Sequence, residues 1–176
     1  VGIFTFTFLI FNLLIKDLPA LNGLDAQHTD QSTKILDRNG VLLYEVYAEQ
    51  NRTIVPFSEF PQDLINATIA VEDKDFYKHG AVDVVGGVLR AIKDMALRQQ
   101  LQGGSTITQQ LVKSALLSPE RTIQRKIREV FLAFLVEQKY SKNQILELYL
   151  NQVPYGGTSY GAASASHLFF GKPVGA

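Results

Sequence analysis

The sequence predicts a mainly α-helical domain that carries one small β-hairpin near its N-terminal end and follows a transmembrane helix. Three observations carry that prediction. The run Val1–Ile15 contains no charged residue. Asn39-Gly40 stands between two β-rich stretches, the strongest short-range hairpin signal. After Pro56 the apolar residues recur with a helical period almost to the end of the chain.

Residues 1–16 read as a membrane anchor truncated at its start, because about 20 apolar residues cross a bilayer and this chain opens at Val1 rather than Met. Lys16-Asp17-Leu18-Pro19 lacks the small-residue pattern of a cleavage site. Residues 17–33 are polar and irregular, a stalk. Residues 34–176 read as one domain, opened by strands over Lys34–Asp37 and Val41–Val46. Pro61 marks a helix start, with Ile65, Ile69 and Glu72 following at i, i+4 and i+7. Asp83 can cap a helix carrying Val84, Val88, Leu89 and Ile92. Gln102-Gly103-Gly104-Ser105 breaks that helix, and Ser105 can cap the next, which runs to about Leu117. Ser118-Pro119 starts a long helix to about Lys139, with a buried arc of Ile123, Ile127, Val130, Phe131 and Phe134. Ser141 with Gln144 makes a capping box for a helix ending near Asn151. Pro154-Tyr155-Gly156-Gly157 reads as a loop, and a small-residue helix then stops at Gly171-Lys172-Pro173.

Composition narrows the function. The chain has 176 residues, 46% of them hydrophobic, which suits one domain with a real core and excludes disorder as a description of the whole. It has no cysteine, so disulfides, thiolate zinc sites and cysteine nucleophiles are excluded together. Its three histidines, His28, His79 and His167, are too few for a His-rich metal cage. Net charge is zero, but residues 1–75 hold 11 acids and 5 bases while residues 76–176 hold 6 acids and 12 bases. A basic half within a neutral chain points to an anionic partner.

Three places hold polar groups that a bland helical fold does not need. In Glu72-Asp73-Lys74-Asp75-Phe76-Tyr77-Lys78-His79, the helical spacing sets Glu72 on the face of Ile65 and Ile69. Desolvation there disfavours the charged carboxylate and suits a general base; a solvated acidic helix end is the plainer alternative. Three acids at a helix C-terminus oppose the macrodipole. In Gly103-Gly104-Ser105-Thr106-Ile107-Thr108-Gln109-Gln110-Leu111-Val112-Lys113, the residues Thr106, Gln109, Gln110 and Lys113 form one polar stripe. A glycine pair feeding a helix start exposes N–H groups to an anion, although the Walker spacing is absent. In the third place, Arg121, Arg125 and Arg128 project from one side of a helix with Glu129 one turn after Arg125. Between Lys113 and Lys142 there are seven bases and three acids. Two separated carboxylates fit chemistry at a glycosidic carbon, and the bases fit a phosphate leaving group. Together these residues point to glycosyl transfer from a lipid-linked phosphosugar at a membrane surface.

At these residues the sequence resembles the peptidoglycan glycosyltransferase domain of class A penicillin-binding proteins and monofunctional transglycosylases. Glu72–His79 resembles that family's first motif, Gly103–Gln110 its second, Arg125-Lys126-Ile127-Arg128-Glu129 its third and Lys142–Asn151 its fourth. Ile35-Leu36-Asp37-Arg38-Asn39-Gly40 resembles its entry hairpin, so the match runs in order over about residues 30–173. The resemblance implies a lysozyme-like fold that polymerises lipid II into β-1,4-linked glycan strands, with inversion at the donor MurNAc C1 and release of undecaprenyl pyrophosphate. It implies Glu72 as the general base and Glu129 as a second catalytic carboxylate, with a divalent cation (Mg or Mn) as an option at Glu129. Lys113, Arg125 and Lys126 match pyrophosphate-binding positions, and Gly104, Ser105, Thr106, Gln109 and Gln110 match the sugar cleft. Asp73, Phe76 and His79 support the first motif, Asn151 falls in the fourth, and the resemblance implies all four at the substrate.

The family continues past the Phe169-Phe170-Gly171-Lys172-Pro173 stretch, so the resemblance implies a missing C-terminal part and room for a fused transpeptidase domain. Expected partners are lipid II, the growing glycan strand and membrane lipids. The expected place is the bacterial cytoplasmic membrane, single-pass, with the domain on the extracytoplasmic face. Two other readings stay open at this level: a lysozyme-like glycan hydrolase, and a non-catalytic membrane-anchored cell-wall scaffold. A nucleic-acid module fits neither the apolar run nor the zero net charge.

Overall fold

The computed structural model describes residues 18–24, 32–47, 50–80, 105–120 and 122–176. The expected anchor, the helix after Asp83, Gly103-Gly104 and Arg121 lie outside the described residues. Among the described residues no helix is long and apolar enough to cross a membrane.

The expected hairpin forms between β1 (Thr33–Leu36) and β2 (Leu42–Val46), antiparallel, with Ile35 opposite Tyr44. Its connection is longer than a two-residue turn, because Asp37 organises it. The Asp37 carboxylate accepts the backbone N–H groups of Asn39 and Val41, both at 2.8 Å, while Gly40 takes φ +80°. A second small sheet was not foreseen. Strands β3 (Asn51–Arg52), β4 (Pro154–Gly156) and β5 (Ser159–Tyr160) lie in the order β3-β5-β4, with β3 parallel and β4 antiparallel to β5. The stretch expected as a loop at residues 154–157 therefore pairs instead.

Five α-helices follow the hairpin among the described residues: α1 (Gln62–Glu72), α2 (Ile107–Ala115), α3 (Ile123–Lys139), α4 (Lys142–Gln152) and α5 (Ala162–Phe170). Pro61 stands at the start of α1 as expected. The start of α2 is capped by Thr106 rather than Ser105, and its hydroxyl accepts the Gln109 N–H at 3.2 Å. Likewise α3 starts after Thr122, whose hydroxyl accepts the Arg125 N–H at 3.1 Å, and not at Ser118-Pro119. Each such cap contributes about 1 kcal/mol. The Ser141–Gln144 capping box of α4 forms in full. Helix α5 ends at Gly171, which adopts φ +64°.

The buried arc of α3 differs from the expected one. Val130 is buried as expected, but Ile123 is 72% exposed, and the buried line otherwise runs through Glu129, Leu132, Ala133 and Val136, spaced i, i+3, i+4, i+7. A buried carboxylate thus shares this face with apolar residues, and Ile123 does not. The core joins Ile107, Leu111 and Val112 of α2 to Leu132 and Val136 of α3 and to Ile145, Leu146 and Leu150 of α4. Each such side chain contributes about 1.5–3 kcal/mol on burial. Leu24, within the segment expected as a stalk, is fully buried in the same core, and Gln152 donates to its carbonyl at 2.8 Å.

Candidate active site

Helix α1 ends at Glu72, and the next three acids-and-aromatics carry different duties. Asp73 closes α1 and simultaneously accepts the Ile107 N–H at the start of α2, at 3.2 Å, and His79 Nε2 at 2.8 Å. A carboxylate on a helix N-terminus is favourably placed in the macrodipole. Phe76 is fully buried, with the Lys142 ammonium 4.5 Å from its ring centroid. Lys142 also pairs with Glu137 at 2.8 Å and lies 3.4 Å from His79 Nδ1, and Thr108 donates to Glu137. Asp75 turns outward to Lys78 at 3.0 Å, which holds its carboxyl below the usual range. So Asp73, Phe76 and His79 buttress the end of α1.

Glu72 itself is exposed, contrary to the desolvation expected from its helical face. The face it shares with Ile65 and Ile69 runs out of the core at the last turn and into a cleft. Its Oε2 accepts from Gln110 Nε2 at 2.7 Å, and the Gln110 carbonyl accepts from the Tyr149 hydroxyl at 3.2 Å. Glu72 lies in the wall of two depressions. The larger, about 760 Å³, includes Val71, Gln110, Lys113, Tyr149 and Tyr155. The smaller, about 330 Å³, includes Asp73, Ser105 and Thr106. Burial first, and then the Glu72 charge, pushes the Tyr149 phenol well above its ordinary value; desolvation and the same charge push Tyr155 up to about 12. Both phenols stay protonated donors beside Glu72 at neutral pH. Neither tyrosine stood out in the sequence, where apolar spacing on a helix and a glycine-rich turn gave no sign of a shared cleft.

The second carboxylate, Glu129, is 1% exposed and fully paired. Arg125 bonds one oxygen at 3.0 Å and Lys126 the other. Lys126 also reaches the Ser105 hydroxyl at 3.2 Å and Gln109, which is buried. This puts the cluster next to the smaller depression. Two cations against one acid leave a local excess of positive charge, and the buried Arg125 Nε has no hydrogen-bond partner among the described residues. Arg128 lies on the same helix, while Arg121 and Gly104 lie outside the described residues. Exposed Lys113 lines the larger depression, while Arg125 and Lys126 meet at Glu129.

Asn151 was expected at the substrate and is placed elsewhere. It is 3% exposed, and its amide accepts the Val55 N–H at 3.0 Å while donating to the Val55 carbonyl at 2.8 Å and the Glu147 carbonyl at 3.0 Å. Every arm is engaged with backbone, so it ties α4 to the segment before α1. A divalent cation fits the described residues poorly. Among them no three acidic or histidine side chains converge, and the neighbours of Glu129 are themselves cations. Such a donor set suits an anion.

A family model described as Transglycosylase matches residues 39–176. Among curated relatives, the chain is 40% identical over 161 residues to a protein named Penicillin-binding protein 1A from Rickettsia typhi, covering 90% of this chain and 20% of that one. It is 39% identical over 174 residues to the Penicillin-binding protein 1A of Aquifex aeolicus, covering 99% and 23%, and 42% over 157 residues to that of Neisseria gonorrhoeae, covering 89% and 20%. The chain thus spans about a fifth of the length of these relatives.

Proposed function

This chain belongs to the transglycosylase family, and we propose that it polymerises lipid II into β-1,4-linked glycan strands, working at the extracytoplasmic face of a bacterial cytoplasmic membrane. The single observation that carries the reading is the position of Glu72 between two depressions, with a cation pair beside one of them. A transfer between two sugars needs a base that both can reach, and a phosphate leaving group needs cations on one side only.

In this reading the donor disaccharide occupies the smaller depression with its pyrophosphate against Arg125 and Lys126. The acceptor enters the larger one, between Lys113 and Tyr155. Glu72 Oε1 takes the proton of the acceptor 4-hydroxyl. The freed oxygen bonds the donor MurNAc C1 from the face opposite the leaving group, which inverts that carbon. The C1–O bond to phosphate breaks, and undecaprenyl pyrophosphate leaves with the electron pair, its charge met by Arg125 and Lys126. Glu129 holds those two cations in place and keeps them from repelling each other, and no step runs through a metal. A lysozyme-like arrangement of helices around the cleft fits this division of labour. A glycan hydrolase gives the Arg125–Lys126 pair no work. A membrane anchor before the domain and a transpeptidase domain after it belong to the same proposal.

The test is polymerisation of fluorescent lipid II in detergent micelles by the wild-type chain, Glu72→Gln and Glu129→Gln. Polymer from the wild type, with a loss of at least about a hundredfold in each variant, is the expected result. Polymer from Glu72→Gln at the wild-type rate refutes the assignment of the base. Hydrolysis of glycan without polymer moves the reading to the hydrolase.

A further inference from the structure

We infer that Tyr149 is a positioning residue for the base: its hydroxyl fixes the Gln110 amide, which holds one oxygen of Glu72 and leaves the other to take the proton. The inference rests on the proposed role of Glu72. Three helices meet in this chain of contacts, α4 through Tyr149, α2 through Gln110 and α1 through Glu72.

The argument turns on the two ends of an amide. Gln110 presents its nitrogen to the Glu72 carboxylate at 2.7 Å. Rotated by half a turn, it would present an oxygen there, and two acceptors would face each other at hydrogen-bond distance. Something must therefore favour one orientation. The Tyr149 hydroxyl does so from the other end, donating to the Gln110 oxygen at 3.2 Å. Tyr149 is 5% exposed, with its ring in the core, so the hydroxyl is fixed in space where a water molecule would move. Its raised pKa keeps the phenol a donor throughout the working range. The second N–H of Gln110 lies 3.5 Å from the Ser105 carbonyl.

Two consequences follow for the site. Gln110 lines the larger depression as expected, and its polar ends already face Glu72, Tyr149 and Ser105. Its work is therefore internal to the site. Second, Glu72 Oε2 is held by Gln110, which leaves Oε1 as the oxygen to take the proton. A base aimed in this way raises the rate of the chemical step without binding substrate more tightly.

The experiment compares wild type, Tyr149→Phe, Gln110→Met and the double variant in lipid II polymerisation, with the Gln110 side-chain amide followed by 1H–15N correlation spectroscopy. The Gln110 amide pair is identified by its loss in Gln110→Met. In Tyr149→Phe the pair is expected to shift, kcat to fall about tenfold, the effect of losing roughly 1.4 kcal/mol of positioning, and KM to stay within about twofold. The double variant is expected to be no slower than Gln110→Met, because both act through one relay. An unmoved amide pair, an unchanged kcat, or losses that simply add overturn the inference. Should Tyr149→Phe fail to fold, Gln110→Met cuts the same relay from an amide that is only half-buried, and an unchanged kcat there overturns it equally. A wild-type chain that makes no polymer refutes the proposed function instead, while the amide shift still reports on the relay.

Discussion

Asn151→Ala separates a structural residue from a substrate-binding one, and the structure sets the size of the effect. The substitution removes three hydrogen bonds, to Val55 N, Val55 O and Glu147 O, from a side chain that is 3% exposed. At a net of about 1 kcal/mol per bond the loss is about 3 kcal/mol, a large share of the 5–15 kcal/mol that holds a typical domain. For a chain of this size, about 2–4 °C in Tm accompanies each kcal/mol, so Tm is expected to fall by about 6–12 °C. Asn151→Asp is a stringent companion. It keeps the acceptor for Val55 N but sets a carboxylate oxygen against two carbonyls, and it is expected to destabilise at least as much. The assay is thermal unfolding followed by circular dichroism, beside KM for lipid II. A Tm within about a degree of wild type, with a raised KM, refutes the reasoning and returns Asn151 to the substrate.

Gly161→Ala meets two obstacles, φ +81° and an added Cβ only 2.6 Å from the Asn151 carbonyl oxygen, and is expected to cost about 3 kcal/mol in urea unfolding. Lys142→Met leaves the buried Glu137 carboxylate with the Thr108 hydroxyl as its one partner among the described residues, and is expected to destabilise by about 3 kcal/mol in the same assay. The Tyr155 phenol, seen as the titration lost in Tyr155→Phe, is expected near pH 12 in wild type and lower in Glu72→Gln. The sign follows because removing a negative charge eases formation of phenolate, and an unmoved titration would refute the proximity of Tyr155 to Glu72.

Elements governed by near neighbours in the chain were readable. Asn39-Gly40 placed the hairpin, Pro61 the start of α1, Ser141 with Gln144 the start of α4, and Gly171 the end of α5. Ser118-Pro119 reads as a helix start, yet Thr122, four residues after Ser118, caps α3. The sheet of β3, β4 and β5 was invisible because two- and three-residue strands have no period, and β3 finds its partner more than 100 residues away. The motifs located Glu72 and Ser105, which line the smaller depression, and Arg125, Lys126 and Glu129, which reach it through the Lys126–Ser105 bond. They could not say which of their members face the cleft. Asn151 and Asp73 serve backbone groups on distant segments, and Lys113 lines the larger depression, because these are facts of packing between helices.

The bond from Asp73 to the Ile107 amide has a consequence in polymer terms. It closes a loop across 34 positions, clasping the end of one helix to the start of another a few ångströms from the Glu72–Gln110 contact. The chain between those points is thereby relieved of holding the two helices in register. The clasp therefore sets the spacing of the two helix ends locally, and the carboxylate and its amide inherit that spacing.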